Sequence, residues 1–164
     1  MTALADIESG LADWVPDIRR LARDPWWIIG STALCLLGVA TEVADIDLLT
    51  SVRDADALTR VWPGRHVAVG PRPGDSHFRS RYSRYMFDPL VLEVMGDLEV
   101  HRADGWQPVR IERTRHCRIG GYDLPIPTMS EQMRLLELFD RPKDHARLRM
   151  LQDLASAQSM KIHP

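Results

Sequence analysis

Ile28-Ile29-Gly30-Ser31 carries a short apolar run into a helical pattern, and Ala44-Asp45-Ile46-Asp47-Leu48-Leu49 follows as a second strand. This pairing restricts the fold more than any other feature of the chain. Strand side chains alternate between faces, so Asp45 and Asp47 stand on one face of a sheet. Neighbouring carboxylates repel, and a divalent cation is the usual reason to keep them together. Mg²⁺ takes oxygen ligands and shares its shell with substrate phosphates. Gly30-Ser31 falls where a strand turns into a helix, and backbone N–H groups at a helix start can receive a phosphate. A phosphate cradle and an acid pair in one short unit point to nucleotide chemistry.

The remaining sequence bounds that reading. At 164 residues, the chain is long enough for one domain with a real core and too short for two ordinary ones. With 45% hydrophobic and 27% charged residues it has the composition of a globular protein. The formal net charge of −2 gives no global basic field to attract nucleic acid. The longest apolar stretch, Trp26–Ala40, is interrupted by Gly30, Ser31 and Thr32, which argues against a membrane span. The acidic N-terminus, with Asp6, Glu8 and Asp13, does not read as a signal peptide. Cys35 and Cys117 share no metal-type spacing, and a cytoplasmic protein with two reduced thiols is expected. The scattered histidines, among them His77, His101 and His116, give no zinc motif and read as ordinary polar residues.

Along the chain, apolar residues at steps of three or four predict a helix over 3–23, with Pro16 marking a kink or break. Trp26–Ile29 is a buried strand, Thr32–Leu37 a helix closed by Gly38, Ala44–Thr50 the second strand and Asp54–Arg60 a short helix near a Ser51 or Asp54 cap. His66–Val69 is a candidate short strand and Pro71-Arg72-Pro73-Gly74-Asp75 a loop. His77–Met86 and Leu90–Met95 form an antiparallel hairpin through Phe87-Asp88-Pro89; Gly96-Asp97 breaks the second strand, and Leu98–His101 can resume it. Gly105–Arg118 reads as irregular or edge-strand structure, followed by a loop through Gly120-Gly121 and Leu124–Pro127. A helix capped by Thr128 or Ser130 runs to about Phe139, a last one over Lys143–Leu154 has Pro142 near its first turn, and the final ten residues are frayed. This order gives an α+β, or mixed α/β, domain with a helical tail.

Further residues carry chemistry. Glu93 lies mid-strand among Leu92, Val94 and Met95, where a carboxylate must be paired, bind metal or face a wet side of the sheet. Arg79 and Arg81 share a strand face, with Arg84 nearby and aromatic residues between. They can contact triphosphate or an acidic substrate, or simply protect an edge strand. Lys143, at a helix start, can reach phosphate or remain a surface lysine. Adjacent Trp26 and Trp27 point to opposite faces, so at least one belongs to the core.

Gly30-Ser31, Asp45-Ile46-Asp47 and Glu93 resemble the nucleotidyltransferase superfamily that includes DNA polymerase beta. Its pattern is a strand ending in Gly-Ser or Gly-Gly, a helix, a strand with Asp-x-Asp and a later strand with a third acid; thirteen residues separate Ser31 from Asp45, within the family's habit. Arg141-Pro142-Lys143-Asp144 is similar to the last-helix start of small bacterial members, which include antibiotic-modifying enzymes and the AbiEii type of toxin. Arg147 stands where relatives often carry an acid, and no role is carried over to it.

The resemblance covers about residues 26–154. It implies one domain over 1–164: a core of about 26–119 built on a central mixed sheet flanked by helices, an N-terminal helix over 3–23 and a C-terminal helical pair over about 128–157. It also implies two-metal phosphoryl transfer. Asp45, Asp47 and Glu93 would hold Mg²⁺, with Mn²⁺ as the other candidate. Gly30, Ser31, Arg79, Arg81 and Lys143 would bind the nucleotide, and Glu93 is the candidate general base. The expected reaction moves a nucleoside monophosphate from an NTP to a hydroxyl on a small molecule, a tRNA end or a protein; an antitoxin is the partner the toxin type implies. The alternative is a non-catalytic nucleotide-binding or regulatory module on the same fold.

Overall fold

The computed structural model describes residues 3–70 and 76–162; the expected loop Pro71–Asp75 lies outside the described residues. Helix α1 (Ala3–Leu21) buries Ile7, Leu11, Trp14, Val15 and Ile18, spaced to lie on one face. It runs through Pro16 rather than breaking there. Proline removes the bond to the carbonyl four residues back. Pro16 and Ala12 are both exposed, so water can serve that carbonyl. Strand β1 (Trp27–Ile29), helix α2 (Gly30–Leu36), strand β2 (Asp45–Thr50) and helix α3 (Val52–Val61) follow as expected, with Ser51 capping α3 by accepting from Asp54 N–H at 3.2 Å. The buried Asp54 carboxylate in turn accepts from the backbone N–H groups of Arg23 and Asp24, which pins the exit of α1 to α3.

Strands β3 (Phe78–Phe87) and β4 (Leu90–Arg102) form the expected hairpin and complete a mixed sheet of order β1-β2-β4-β3, with β5 (Gly105–Pro108) added to the far end of β4. β2 and β4 are parallel, and the other pairs are antiparallel. The register sets Ile29, Asp47, Glu93 and Arg84 side by side across four strands. Ile28, Ile46, Leu48, Tyr85, Leu92 and Val94 point to the opposite face and pack under α1, α2 and α3 as the main core. Each such side chain stabilises the fold by roughly 1.5–3 kcal/mol.

Gly96 does not end β4. Arg81 pairs with Gly96 and Arg79 with Glu99, so β4 carries one more residue than β3 there, and Asp97 takes φ of 49°. Asparagine and aspartate tolerate that conformation better than most residues, so the strand bulges instead of stopping. The bulge switches facing: Leu98 and Val100 join Ile29 and Leu49 on the acidic face, where Leu135 and Phe139 of α4 (Met129–Phe139) cover them as a second cluster. Gly96 is also where α3 meets the sheet most closely; a Cβ there would lie 2.9 Å from Val52 Cα and 3.1 Å from Ala55 Cβ. Gly96→Ala is expected to lower stability by about 1–3 kcal/mol through this overpacking, read as a lower urea midpoint at unchanged slope.

Three other expectations change. His66–Val69 contributes a bridge from His66 to Tyr85 and a Val67 N–H bond to Arg84 O rather than a strand. Residues 114–127 are a separate hairpin: β6 (Thr114–Ile119) takes the strand form of the two expected there, while β7 (Tyr122–Pro127) replaces the expected loop. Pro125 and Pro127 conceal β7 in the sequence. A strand with one hydrogen-bonded partner needs its N–H only at alternate residues, and these prolines are two apart. Finally, helix α5 (Pro142–Ile162) continues past Leu154, where alanine, glutamine and methionine favour helix. Among the described residues no helix is long and apolar enough to cross a membrane. Cys35 and Cys117 are both free thiols. Trp26 packs against the main core and Trp27 against the second cluster, in agreement with their opposite facing.

Candidate active site

The half of the acidic sheet face that α4 leaves uncovered opens into a cleft of about 670 Å³. Its floor is the end of β1 with Gly30 and Ser31, then Asp45 and Asp47 of β2 and Glu93 of β4. Its apolar wall includes Phe78, Leu98 and Phe139, and its roof includes Arg141, Lys143 and Arg147 at the start of α5.

Gly30 opens α2 with φ of 67°, and a Cβ on it would lie 2.0 Å from Asp47 Oδ2. Glycine is therefore required twice, for the left-handed turn and for the contact with the carboxylate. Thr32 Oγ donates to Asp45 O at 3.1 Å and ties the first turn of α2 to β2. Burial, then the charges of Asp45 and Glu93, push the Asp47 carboxyl up to about 7, against the opposing pull of Lys143 and Arg147. Three acids thus crowd one face, as the alternation and the parallel register require. Among the described residues no three acid, histidine or cysteine side chains converge as a ready-made metal cage. The donor set nevertheless fits a hard cation. Asp45 and Asp47 offer oxygen ligands of the kind Mg²⁺ takes one or two at a time, completing its shell with water and phosphate. Such a charge would offset the burial and the repulsion that raise the Asp47 pKa.

The Arg141-Pro142-Lys143-Asp144 start of α5 is a capping device. The fully buried Asp144 carboxylate accepts from the Arg141 backbone N–H at 3.1 Å, and from its Nε and Nη2 at 2.6 and 2.9 Å. The Arg141 guanidinium also lies 4.7 Å from the Phe78 ring centre and 5.6 Å from that of Phe139. This fixes the first turn of α5 over the cleft, and Lys143 and Arg147, one turn apart, line it together. Burial and the nearby Arg141 and Arg147 lower the Lys143 pKa from its ordinary value, while Asp144 and Asp47 oppose the shift.

The two arginines singled out in the sequence do share a face of β3, and that face is turned away from the acids. Arg81 Nε is 2.7 Å from Asp56 of α3, and Arg81 does not line the cleft. Arg79 reaches the rim, but its guanidinium pairs with Glu99 and covers Trp106 at 4.5 Å. The cleft gains instead Arg147 and Tyr82, while Arg84 stands outside the lining, its Nε 3.2 Å from Glu93 Oε1. Arg147 was detectable from its spacing to Lys143. Arg84 was detectable by counting back from the tight turn, since Phe87 pairs with Leu90 and therefore Arg84 with Glu93.

No protein-family model matches the sequence, and no curated protein matches it. Solved structures do. A Thermotoga maritima protein that bears a provisional nucleotidyltransferase name superposes with a TM-score of 0.66 over 98% of this chain and 96% of its own, at 21% identity. The lincosamide antibiotic adenylyltransferase LnuA, solved with lincomycin, gives 0.52 over 86% and 94%, at 12% identity. ANT(2")-Ia, solved with adenylyl-2"-tobramycin, gives 0.52 over 97% and 92%, at 15% identity. The chain has the nucleotidyltransferase fold.

Proposed function

We propose that the cleft is the donor site of a nucleotidyltransferase that moves a nucleoside monophosphate from an NTP to an acceptor hydroxyl. The observation that carries this reading is Asp47. It touches Gly30 at the start of α2, is crowded by Asp45 and Glu93, and feels Lys143 and Arg147 across the cleft. Acids for a metal and cations for phosphates meet over one carboxylate.

In this reading Asp45 and Asp47 hold Mg²⁺ or Mn²⁺. When bound, the ion neutralises the triphosphate and polarises the α-phosphorus for in-line attack. Ser31 and the first amides of α2 orient the outer phosphates. Lys143 and Arg147 bind the phosphate oxygens and stabilise the charge that develops on the departing pyrophosphate. Glu93 takes the proton from the acceptor hydroxyl as the oxygen attacks. Arg79 stays at the rim as a secondary contact to an anionic substrate, whereas the Arg81 position supports a structural pairing with Asp56.

The acceptor is a hydroxyl on a small molecule, a tRNA end or a protein. The antibiotic-bound neighbours favour testing small molecules first. Incubation with NTP labelled in the α-phosphate, against lincosamides, aminoglycosides, tRNA and total protein, is expected to label a product of mass increased by one nucleoside monophosphate. NTP binding with no labelled product across that panel and a cell extract would make the chain a binding module instead.

Lys143→Met is expected to reduce kcat/KM for the NTP about 10- to 100-fold, through a higher KM and a lower kcat together, because a charge-assisted phosphate contact that strengthens as pyrophosphate departs is lost. Since the Lys143 pKa lies below its ordinary value, wild-type NTP affinity should also fall on the alkaline side at a lower pH than an unperturbed lysine would give. Steady-state kinetics across pH check both expectations.

A further inference from the structure

Glu93 sits between two charged neighbours on one rung of the sheet, Asp47 on β2 and Arg84 on β3. The Glu93 side chain is 8% exposed and Arg84 28%. The Arg84 Nε is 3.2 Å from Glu93 Oε1, yet this buried Nε–H makes no aligned hydrogen bond. At that Nε the pair is close enough for charge attraction but lacks an aligned hydrogen bond. A divalent cation placed beside Asp47 and a guanidinium placed on the β3 side therefore draw on the same carboxylate from opposite directions.

We propose that Arg84 is a positioning residue that competes with the metal for Glu93. It keeps Glu93 on the edge-strand side, so that Asp45 and Asp47 act as the principal metal ligands and Glu93 retains an oxygen for the acceptor proton. Arg84 does not line the cleft and touches no substrate in this arrangement; it acts through Glu93 alone. The inference rests on the proposed metal site.

Arg84→Gln removes the competing charge while keeping a polar side chain. The unliganded protein titrated with Mn²⁺, followed by calorimetry or by the electron paramagnetic resonance of unbound Mn²⁺, is expected to bind the ion about 3- to 30-fold more tightly in this variant, the effect of losing one partly exposed charge pair. Arg84→Lys, which keeps the charge, should restore most of the wild-type affinity. At saturating Mg²⁺ and NTP, kcat of Arg84→Gln should fall with little change in KM, because Glu93 is then held by metal. In a Glu93→Gln background the Arg84 substitution should no longer change Mn²⁺ affinity. A merely structural arginine would alter the urea midpoint and leave Mn²⁺ affinity unmoved; unchanged or weaker Mn²⁺ binding in a folded Arg84→Gln protein overturns the proposal. If Asp45→Asn and Asp47→Asn bind Mn²⁺ as wild type does, the metal-site reading fails first. If they lose the ion while Arg84→Gln is unchanged, only the role of Arg84 fails.

Discussion

Asp47→Asn is expected to abolish NTP turnover, by roughly a thousand-fold or more, and at the same time to stabilise the metal-free protein at neutral pH. The two effects have one cause. Burial and the charges of Asp45 and Glu93 push the Asp47 carboxyl from an ordinary 3.8 up to about 7. Below about pH 4 the group is protonated in folded and unfolded chains alike and does not bear on stability. Between about pH 4 and pH 7 the unfolded chain has lost the proton that the folded chain retains, so wild-type stability falls as pH rises through that window. The asparagine of the variant carries no charge, so this fall disappears. At pH 8 the variant should exceed wild type by on the order of 2 kcal/mol, a figure reduced because the carboxyl opens onto the cleft, and at pH 4 the two should coincide. Saturating Mg²⁺ should raise the wild-type urea midpoint at pH 8 and leave that of the variant almost unmoved. A variant less stable than wild type at pH 8 would mean that Asp47 is a structural acid.

Gly30→Ala carries the second large effect. The φ of 67° imposes on alanine a left-handed strain of about 1–2 kcal/mol. The heavier consequence is local, because the new Cβ would fall 2.0 Å from Asp47 Oδ2. Either the carboxylate swings aside or the α2 start moves, and both separate the acid pair from the proposed phosphate-binding turn. A loss of about 100- to 1000-fold in kcat is expected, with a melting temperature only a few degrees lower, since misplacement by about an ångström is enough to lose a hundred-fold. Kinetics and thermal unfolding of the same preparation check this. Activity within about three-fold of wild type would show that Asp47 and Gly30 are not parts of one site.

Much of the geometry of this cleft was legible because strand alternation and a four-residue pattern leave little freedom. Two aspartates two apart in a half-buried strand must share a face, and Gly30-Ser31 could start only one helix. Glu93 drew notice through the cost of a carboxylate among Leu92, Val94 and Met95, and the parallel register sets it beside Asp47. Arg79 and Arg81 were placed correctly on a common face, but alternation alone does not say which side of the sheet that face looks to. The helices decide it, and α3 supplies Asp56 to Arg81. The extra residue at Asp97 could not be counted from sequence either, because a bulge and a strand break leave the same Gly-Asp signature. β7 was hidden by its prolines, which mark a loop unless the strand has only one partner. Arg84 stood in the sequence only as a neighbour of Arg79 and Arg81, and Arg147 without a role, for a simpler reason: their places beside Glu93 and Lys143 appear only once those neighbours are positioned.

The central claim is that this cleft transfers the α-phosphoryl group of an NTP. The most direct test incubates the protein with Mg²⁺ and two NTP samples, one labelled in the α-phosphate and one in the γ-phosphate, in the presence of the acceptor panel and a cell extract. The expected result is label in a product from the α-labelled NTP alone, with release of pyrophosphate, and loss of both on Asp47→Asn. Label entering from the γ-phosphate, or products unchanged by Asp47→Asn, would contradict it.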